Sequence, residues 1–157
     1  MKTNFFSPGI LTPNRGKRTR SIFAGTLLVA IALLFACSTI ATFDQVAYDK
    51  ATGAKAEALA LMDKATDSYS AHVKEIESVS LTIDKAYEYD RGRTLNAITV
   101  QQWQILRDPG RNLFGGFLRR WREKGSLKPD YIVEKKPDIA EAFDQITGLE
   151  IGKRKAN

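Results

Sequence analysis

The sequence predicts an all-α protein: an N-terminal signal or anchor helix, one long amphipathic helix and about three shorter helices. Three observations carry that expectation. From Ser21 to Phe43 the chain holds 23 residues without a charge, bounded by Arg20 and Asp44. From Ala58 to Ala86, side chains of one face recur at alternating spacings of four and three: Ala58, Met62, Ala65, Tyr69, His72, Ile76, Val79, Ile83 and Ala86. That repeat is helical, not the alternation of a strand. The remainder is divided by Pro and Gly at Pro109, Gly110, Gly125, Pro129, Pro137 and Gly148, which punctuate short helices.

The formal net charge is +6 over 157 residues, but it is unevenly placed. Residues 1–43 carry five bases (Lys2, Arg15, Lys17, Arg18 and Arg20) and no acid, leaving 19 bases and 18 acids for the rest. The basicity therefore belongs to the leader. At 1.5 Å per residue, a helix over the uncharged run is long enough to cross a ~30 Å hydrocarbon layer. The bases in front of it predict a cytoplasmic N-terminus and an exported remainder. The expected parts are a basic N-region at 1–20, a hydrophobic signal or anchor segment at 21–43, a helical exported domain at 44–150 and a basic tail at 151–157.

The single cysteine, Cys37, lies inside the apolar run. Leu34-Phe35-Ala36-Cys37 resembles the lipobox of bacterial lipoprotein precursors, with Leu three residues before the cysteine and a small residue just before it. The resemblance covers the leader alone. It implies that the Cys37 thiol receives a diacylglyceryl group carrying fatty acids such as palmitate, and that the leader is removed in front of it. It further implies that Ser38 permits sorting to the outer membrane. Two other readings stay open: a retained single-span inner-membrane anchor with Cys37 toward its outer end, and soluble export after ordinary cleavage. The first two place the domain in the bacterial cell envelope, facing the periplasm.

The long helix is expected from about Asp44 to Asp90, roughly 70 Å at the helical rise, with Gly53 a candidate early break. Ala51, Ala54, Ala56, Ala58 and Ala60 favour helix and let a neighbour approach closely. His72, on the stripe, reads as a packed residue at the core edge. Residues 44–90 hold ten acids and five bases, whereas residues 91–128 hold nine bases and two acids. Asp90-Arg91-Gly92-Arg93 reads as a turn. Thr99-Val100-Gln101-Gln102 matches a capping box opening a helix with Trp103, Ile105 and Leu106, which Asp108-Pro109-Gly110 stops. The next helix is expected from an Asn112 cap to Gly125. Leu113, Phe114, Phe117, Leu118 and Trp121 form its apolar face. Gly115 and Gly116, each costing about 1 kcal/mol relative to Ala in a helix interior, imply a close crossing or a later start. Pro129 opens a helical turn. Pro137 opens a last helix with Ile139, Ala142, Phe143 and Ile146 inward, ended by Gly148.

One cysteine excludes an intramolecular disulfide and a cysteine-based zinc site, and a lone histidine excludes a multi-histidine site. No Gly-x-Ser-x-Gly elbow is present, and Gly115-Gly116 is not followed by the Lys-Ser/Thr of a phosphate loop. No catalytic or metal residue and no cofactor is predicted, and the expected role is structural or adaptor-like. The candidate docking residues are Arg111, Phe117, Arg119, Arg120, Trp121 and Arg122. They fit either a helix lying on anionic lipid or an acidic partner with its rings engaged, or a packed helix with solvated arginines. The expected partners are the membrane and another envelope protein, or a second copy through the long helix. Nucleic acid is not among them.

Overall fold

A computed structural model describes residues 40–156, in which five α-helices follow one another: α1 Gln45–Met62, α2 Val73–Arg91, α3 Ala97–Arg107, α4 Phe114–Lys124 and α5 Pro129–Ala156. A 3-10 turn, Tyr69–Ala71, lies between α1 and α2. The described residues contain no strand. The all-helical class expected from the sequence is therefore found.

The single long helix is not. Residues 63–72 break it into α1 and α2, which pack against each other. Neither Gly nor Pro causes the break. Thr66, Asp67, Ser68 and Ser70 fall here, residues whose side chains compete for helical backbone bonds. Tertiary partners take up the freed backbone: Leu127 donates its amide to the Ala65 carbonyl (2.8 Å), Tyr69 donates to Gly125 (2.7 Å), and the Trp121 indole donates to the Asp67 carbonyl (3.0 Å). Gly53 lies exposed within α1 and breaks nothing.

The stripe itself is the core. Ala58, Met62, Ala65, Ile76, Val79, Ile83 and Ala86 are all buried, and Tyr69 and His72 are partly so. Folding back lets the two halves of the stripe face common partners: Trp103 and Leu106 of α3, Phe117 and Trp121 of α4, and Ile139, Phe143 and Ile146 of α5. Full burial of each such side chain contributes roughly 1.5–3 kcal/mol. Trp103 meets Phe143 edge-on at 6.0 Å, and Trp121 meets Tyr69 edge-on at 5.6 Å. The stripe is thus buried within its own domain.

The helices run up and down between two ends. At one end the chain enters: Ala41 donates to the Leu95 carbonyl between α2 and α3, and Arg93 reaches Glu150 near the end of α5. At the far end the α1–α2 break meets the α4–α5 connection through the bonds just given. α1 and α2 span the two ends once each, α3 and α4 climb together as one bent leg, and α5 returns. α1 packs on α2 and α5, and α3 packs on the same two helices.

The bend between α3 and α4 explains the paired glycines. A β-carbon on Gly115 would lie 2.1 Å from the Arg107 carbonyl oxygen, and one on Gly116 would lie 1.8 Å from that of Arg111. No side chain fits at either position. Of the two expected alternatives the close approach is found: the helix starts at Phe114, ahead of both glycines, and its first turn presses on the preceding backbone. Gly125 ends α4 as expected, at a left-handed φ of 77°.

Three boundaries differ from expectation. α3 starts at Ala97 rather than at a Thr99 cap, and Thr99 is buried against α5. α4 is flanked by Leu113 rather than capped by Asn112. α5 runs through Pro137, Gly148 and the expected tail as one helix of 28 residues. Pro137 and Val133 are both exposed, so the carbonyl that loses its partner lies on the solvated side. Glu150 and Lys153, both buried, hold the C-terminal turns in place. The domain also begins earlier than Asp44: Ile40 to Phe43 are non-helical and packed on it, with Ala41 buried. Among the described residues no helix is long and apolar enough to cross a membrane. Residues 21–39 of the predicted anchor segment, Cys37 included, lie outside the described residues.

Candidate functional site at the chain entry

The apolar stripes of α2 and α5 both turn ionic at the chain-entry end. Asp90 follows Ala86 by one helical turn, and Glu150 and Lys153 follow Ile146. All three are buried, at 2%, 2% and 6% exposure. Desolvating charges costs several kcal/mol per ion unless each is paired and hydrogen-bonded, and here each is. Arg93 lies between the two carboxylates. Its Nη1 donates to Asp90 Oδ1 and Glu150 Oε2, both at 2.9 Å, and its Nη2 donates to Glu150 Oε1 at 3.0 Å. Such a two-pronged pair uses the fixed fork of a guanidinium.

The second layer completes the shell. The Trp103 indole donates to Asp90 Oδ2 at 2.7 Å, and the Asn96 amide donates to Asp90 Oδ1 at 2.8 Å. Lys153 donates to Glu150 Oε2 at 2.5 Å and to the Asn96 side-chain oxygen at 2.6 Å. Among the described residues no buried side-chain nitrogen or oxygen lacks a hydrogen-bond partner. The cluster therefore aims no unmet polar atom at an outside ligand, and its chemistry is cohesion.

What it holds is the entering chain. Arg93 Nη2 donates to the Thr42 carbonyl at 2.6 Å, and the Asp44 amide donates to Glu150 Oε1 at 2.6 Å. Asp44 in turn caps α1, accepting from the Ala47 amide at 3.0 Å and from the Tyr89 hydroxyl at 2.8 Å. Arg154 of α5 covers the Phe43 ring at 4.2 Å. Residues 41–44 are thus gripped by α2, the α2–α3 turn and α5.

The electrostatics follow the same bonds. Burial acts to raise the Glu150 carboxyl, but hydrogen bonds from Arg93, Lys153 and the Asp44 amide outweigh it and hold it below its ordinary range. Burial likewise acts against the Arg93 charge, and the Glu150 and Asp90 bonds overcome it, raising its affinity for the proton. Asp44 is lowered despite its own burial, by the Ala47 amide, Tyr89 and Arg93.

The residues singled out for docking divide into two sets. Phe117 and Trp121, at 2% and 0% exposure, face the core and have no free ring surface for a membrane. Arg111, Arg119, Arg120 and Arg122 are exposed. Arg119 faces Glu123 at 3.8 Å, Arg120 lies over the Tyr131 ring at 4.5 Å, and Arg111 stands 3.6 Å from Asp108. Between α2 and α4 an open groove of about 490 Å³ has Ile76, Leu81 and Leu118 on its walls and Arg107, Arg119 and Arg122 around it. His72 packs beside Trp121 at 5.8 Å, with Asp67 and Glu75 each 3.1 Å from a ring nitrogen. Among the described residues no group of three or more His, Cys, Asp or Glu side chains is placed to hold a metal ion.

No protein-family model, curated protein or solved structure matches the chain.

Proposed function

We propose that this chain is a membrane-anchored protein of the bacterial envelope, a lipoprotein attached through Cys37, whose helical domain has a non-enzymatic structural or adaptor role. One observation carries the reading: the chain entering from the apolar run is clamped to the domain from Ala41 onward. Only three residues separate Cys37 from Ala41. At about 3.6 Å per residue, the four-residue step spans at most ~14 Å. A domain attached so closely has no tether on which to roam, which suits a scaffold held at a surface. The satisfied ionic cluster supports the non-enzymatic part, since its carboxylates are engaged in holding the fold.

The test is intact mass with radiolabelled palmitate on wild type and Cys37→Ser. A lipoprotein yields a labelled chain of 121 residues beginning at Cys37, and the substitution abolishes the label. An unlabelled, full-length wild-type chain overturns the lipoprotein reading.

A second reading keeps the segment as a single inner-membrane span, with α4 docking on anionic lipid or an acidic partner. The 19 uncharged residues from Ser21 to Thr39 are within the range needed to cross. Exposed Arg119, Arg120 and Arg122 favour the acidic partner over lipid. α4 runs toward the far end of the domain, and α1 alone sets the two ends about 25 Å apart. Surface charge is screened within ~8 Å at physiological salt.

A further inference from the structure

We propose that the chain-entry end of the domain is a lipid seat: its exposed apolar residues reach the headgroup–acyl boundary of the bilayer that holds the chain's own anchor. The proposal rests on the membrane-anchored reading above, under either form of anchor.

Exposed large apolar side chains gather at this end. Of the eight among the described residues, Ile40, Val46, Leu95, Ile98 and Ile151 belong to it. Leu95 and Ile98 are more than half exposed, at 57% and 58%. The Leu95 carbonyl accepts the Ala41 amide, which sets the α2–α3 turn directly beside the entering segment.

The backbone at Leu95 makes the side chain harder to dismiss. Leu95 has a φ of 58°, the one left-handed non-glycine among the described residues. That conformation favours Gly or Asn and penalises a leucine. A solvated turn gains nothing from a strained, exposed leucine. A turn pressed against acyl chains does.

The charges fit the same occupant. Arg154 and Lys155, in the last turn of α5, have no carboxylate partner among the described residues. Arg154 instead lies over Phe43, its guanidinium placed above an apolar ring as at a water–lipid boundary. The acids of this end are engaged: Asp90 and Glu150 with Arg93, Glu88 with Arg91, Asp44 with Tyr89, and the exposed Asp49 with Gln45. The length of chain in front leaves little choice of position. A lipid on Cys37, or a span ending near Thr39, brings Ile40 to the bilayer surface, and the clamp brings Leu95 with it.

The test uses the full-length chain in vesicles of phosphatidylethanolamine and phosphatidylglycerol whose acyl chains carry bromine, a quencher of indole emission. Leu95→Trp and Ile98→Trp are compared with Val133→Trp, each over the common background of the buried Trp103 and Trp121. Ile98 stands in the first turn of α3, so its variant does not depend on the left-handed turn. Val133 is 71% exposed in the second turn of α5, toward the far end. Loss of the added emission at both entry positions, with none at Val133→Trp, is the expected result. Equal emission at all three positions on a vesicle-bound chain overturns the seat and leaves the anchor standing. A chain that fails to float with the vesicles overturns both.

Discussion

Arg93 and Glu150, 57 residues apart in sequence, meet through two parallel hydrogen bonds of 2.9 and 3.0 Å in a largely dehydrated site. Removing Arg93 leaves Glu150 to Lys153 and leaves the buried Asp90 with only the neutral donors Asn96 and Trp103, and breaking a buried pair in this way costs about 3–5 kcal/mol. Arg93→Ala is expected to lose that much, a large share of the 5–15 kcal/mol typical of a domain. Urea denaturation followed by circular dichroism measures it. A loss below about 1 kcal/mol would mean that the clamp does not hold the fold. Arg93→Lys keeps the charge without the fork, and its loss should fall between wild type and Arg93→Ala.

The same bonds set an acid limb. Glu150 and Asp44 are both held below their ordinary values of 4.5 and 3.8. Between the folded and ordinary values the unfolded chain binds more protons than the folded one, so stability rises with pH there. The contribution is complete above the ordinary values and is lost as pH falls through the folded ones. Urea midpoints measured from neutrality down to about pH 3 should therefore drop below about pH 4.5. Glu150→Gln removes one of the lowered carboxylates, leaving Asp44 and, on α2, Glu75 beside Lys64 and His72. Its curve should start lower and fall less steeply, and an unchanged acid limb would remove Glu150 as its source.

The helical stripe in the sequence identified the whole apolar core of α2 (Ile76, Val79, Ile83 and Ala86) but only Ala58 and Met62 of α1, whose Ala47, Ala51, Ala54 and Leu61 are buried outside it. Continuity was not legible. The break at residues 63–72 depends on Ala65, Asp67 and Tyr69 finding backbone and indole partners from α4 and its following turn, about 60 residues away. The ionic clamp was missed for a related reason. Asp90 reads as part of a turn and Glu150 as a residue past the Gly148 helix stop when each helix is taken alone. A signal was nevertheless present: continuing the spacing past Ala86 lands on Asp90, and continuing it past Ile146 lands on Glu150 and Lys153. Two apolar stripes that become charged at their last turns mark a buried ionic layer. The Phe117 and Trp121 rings were ambiguous because an apolar face looks the same against a core as against lipid.

Glycine positions separate close approach from tolerance. Gly148 lies in α5 with open space where a β-carbon would go, so Gly148→Ala should stabilise by about 0.5–1 kcal/mol. Gly115→Ala drives a methyl into the Arg107 carbonyl at 2.1 Å and must displace the α3–α4 bend, so it should destabilise, and by more than Gly148→Ala gains. Thermal melts of the two single variants test the contrast. A neutral Gly115→Ala would mean that the bend yields.

Charge reversal on α4 tests which end of the domain faces lipid. Arg119 and Arg120 are exposed, and surface substitutions of this kind usually stay within about 0.5 kcal/mol. Arg120 also gives up its place over Tyr131, worth about 0.5–1 kcal/mol. Arg119→Glu with Arg120→Glu should therefore fold with only a modest loss. If the chain-entry end rests on the bilayer, these positions stand beyond the reach of its screened charge. Flotation of the anchor-free domain, residues 40–157, with phosphatidylglycerol-containing vesicles should then be the same for wild type and the double variant. Loss of flotation in a folded double variant of that domain would place α4 at the membrane and reverse the orientation.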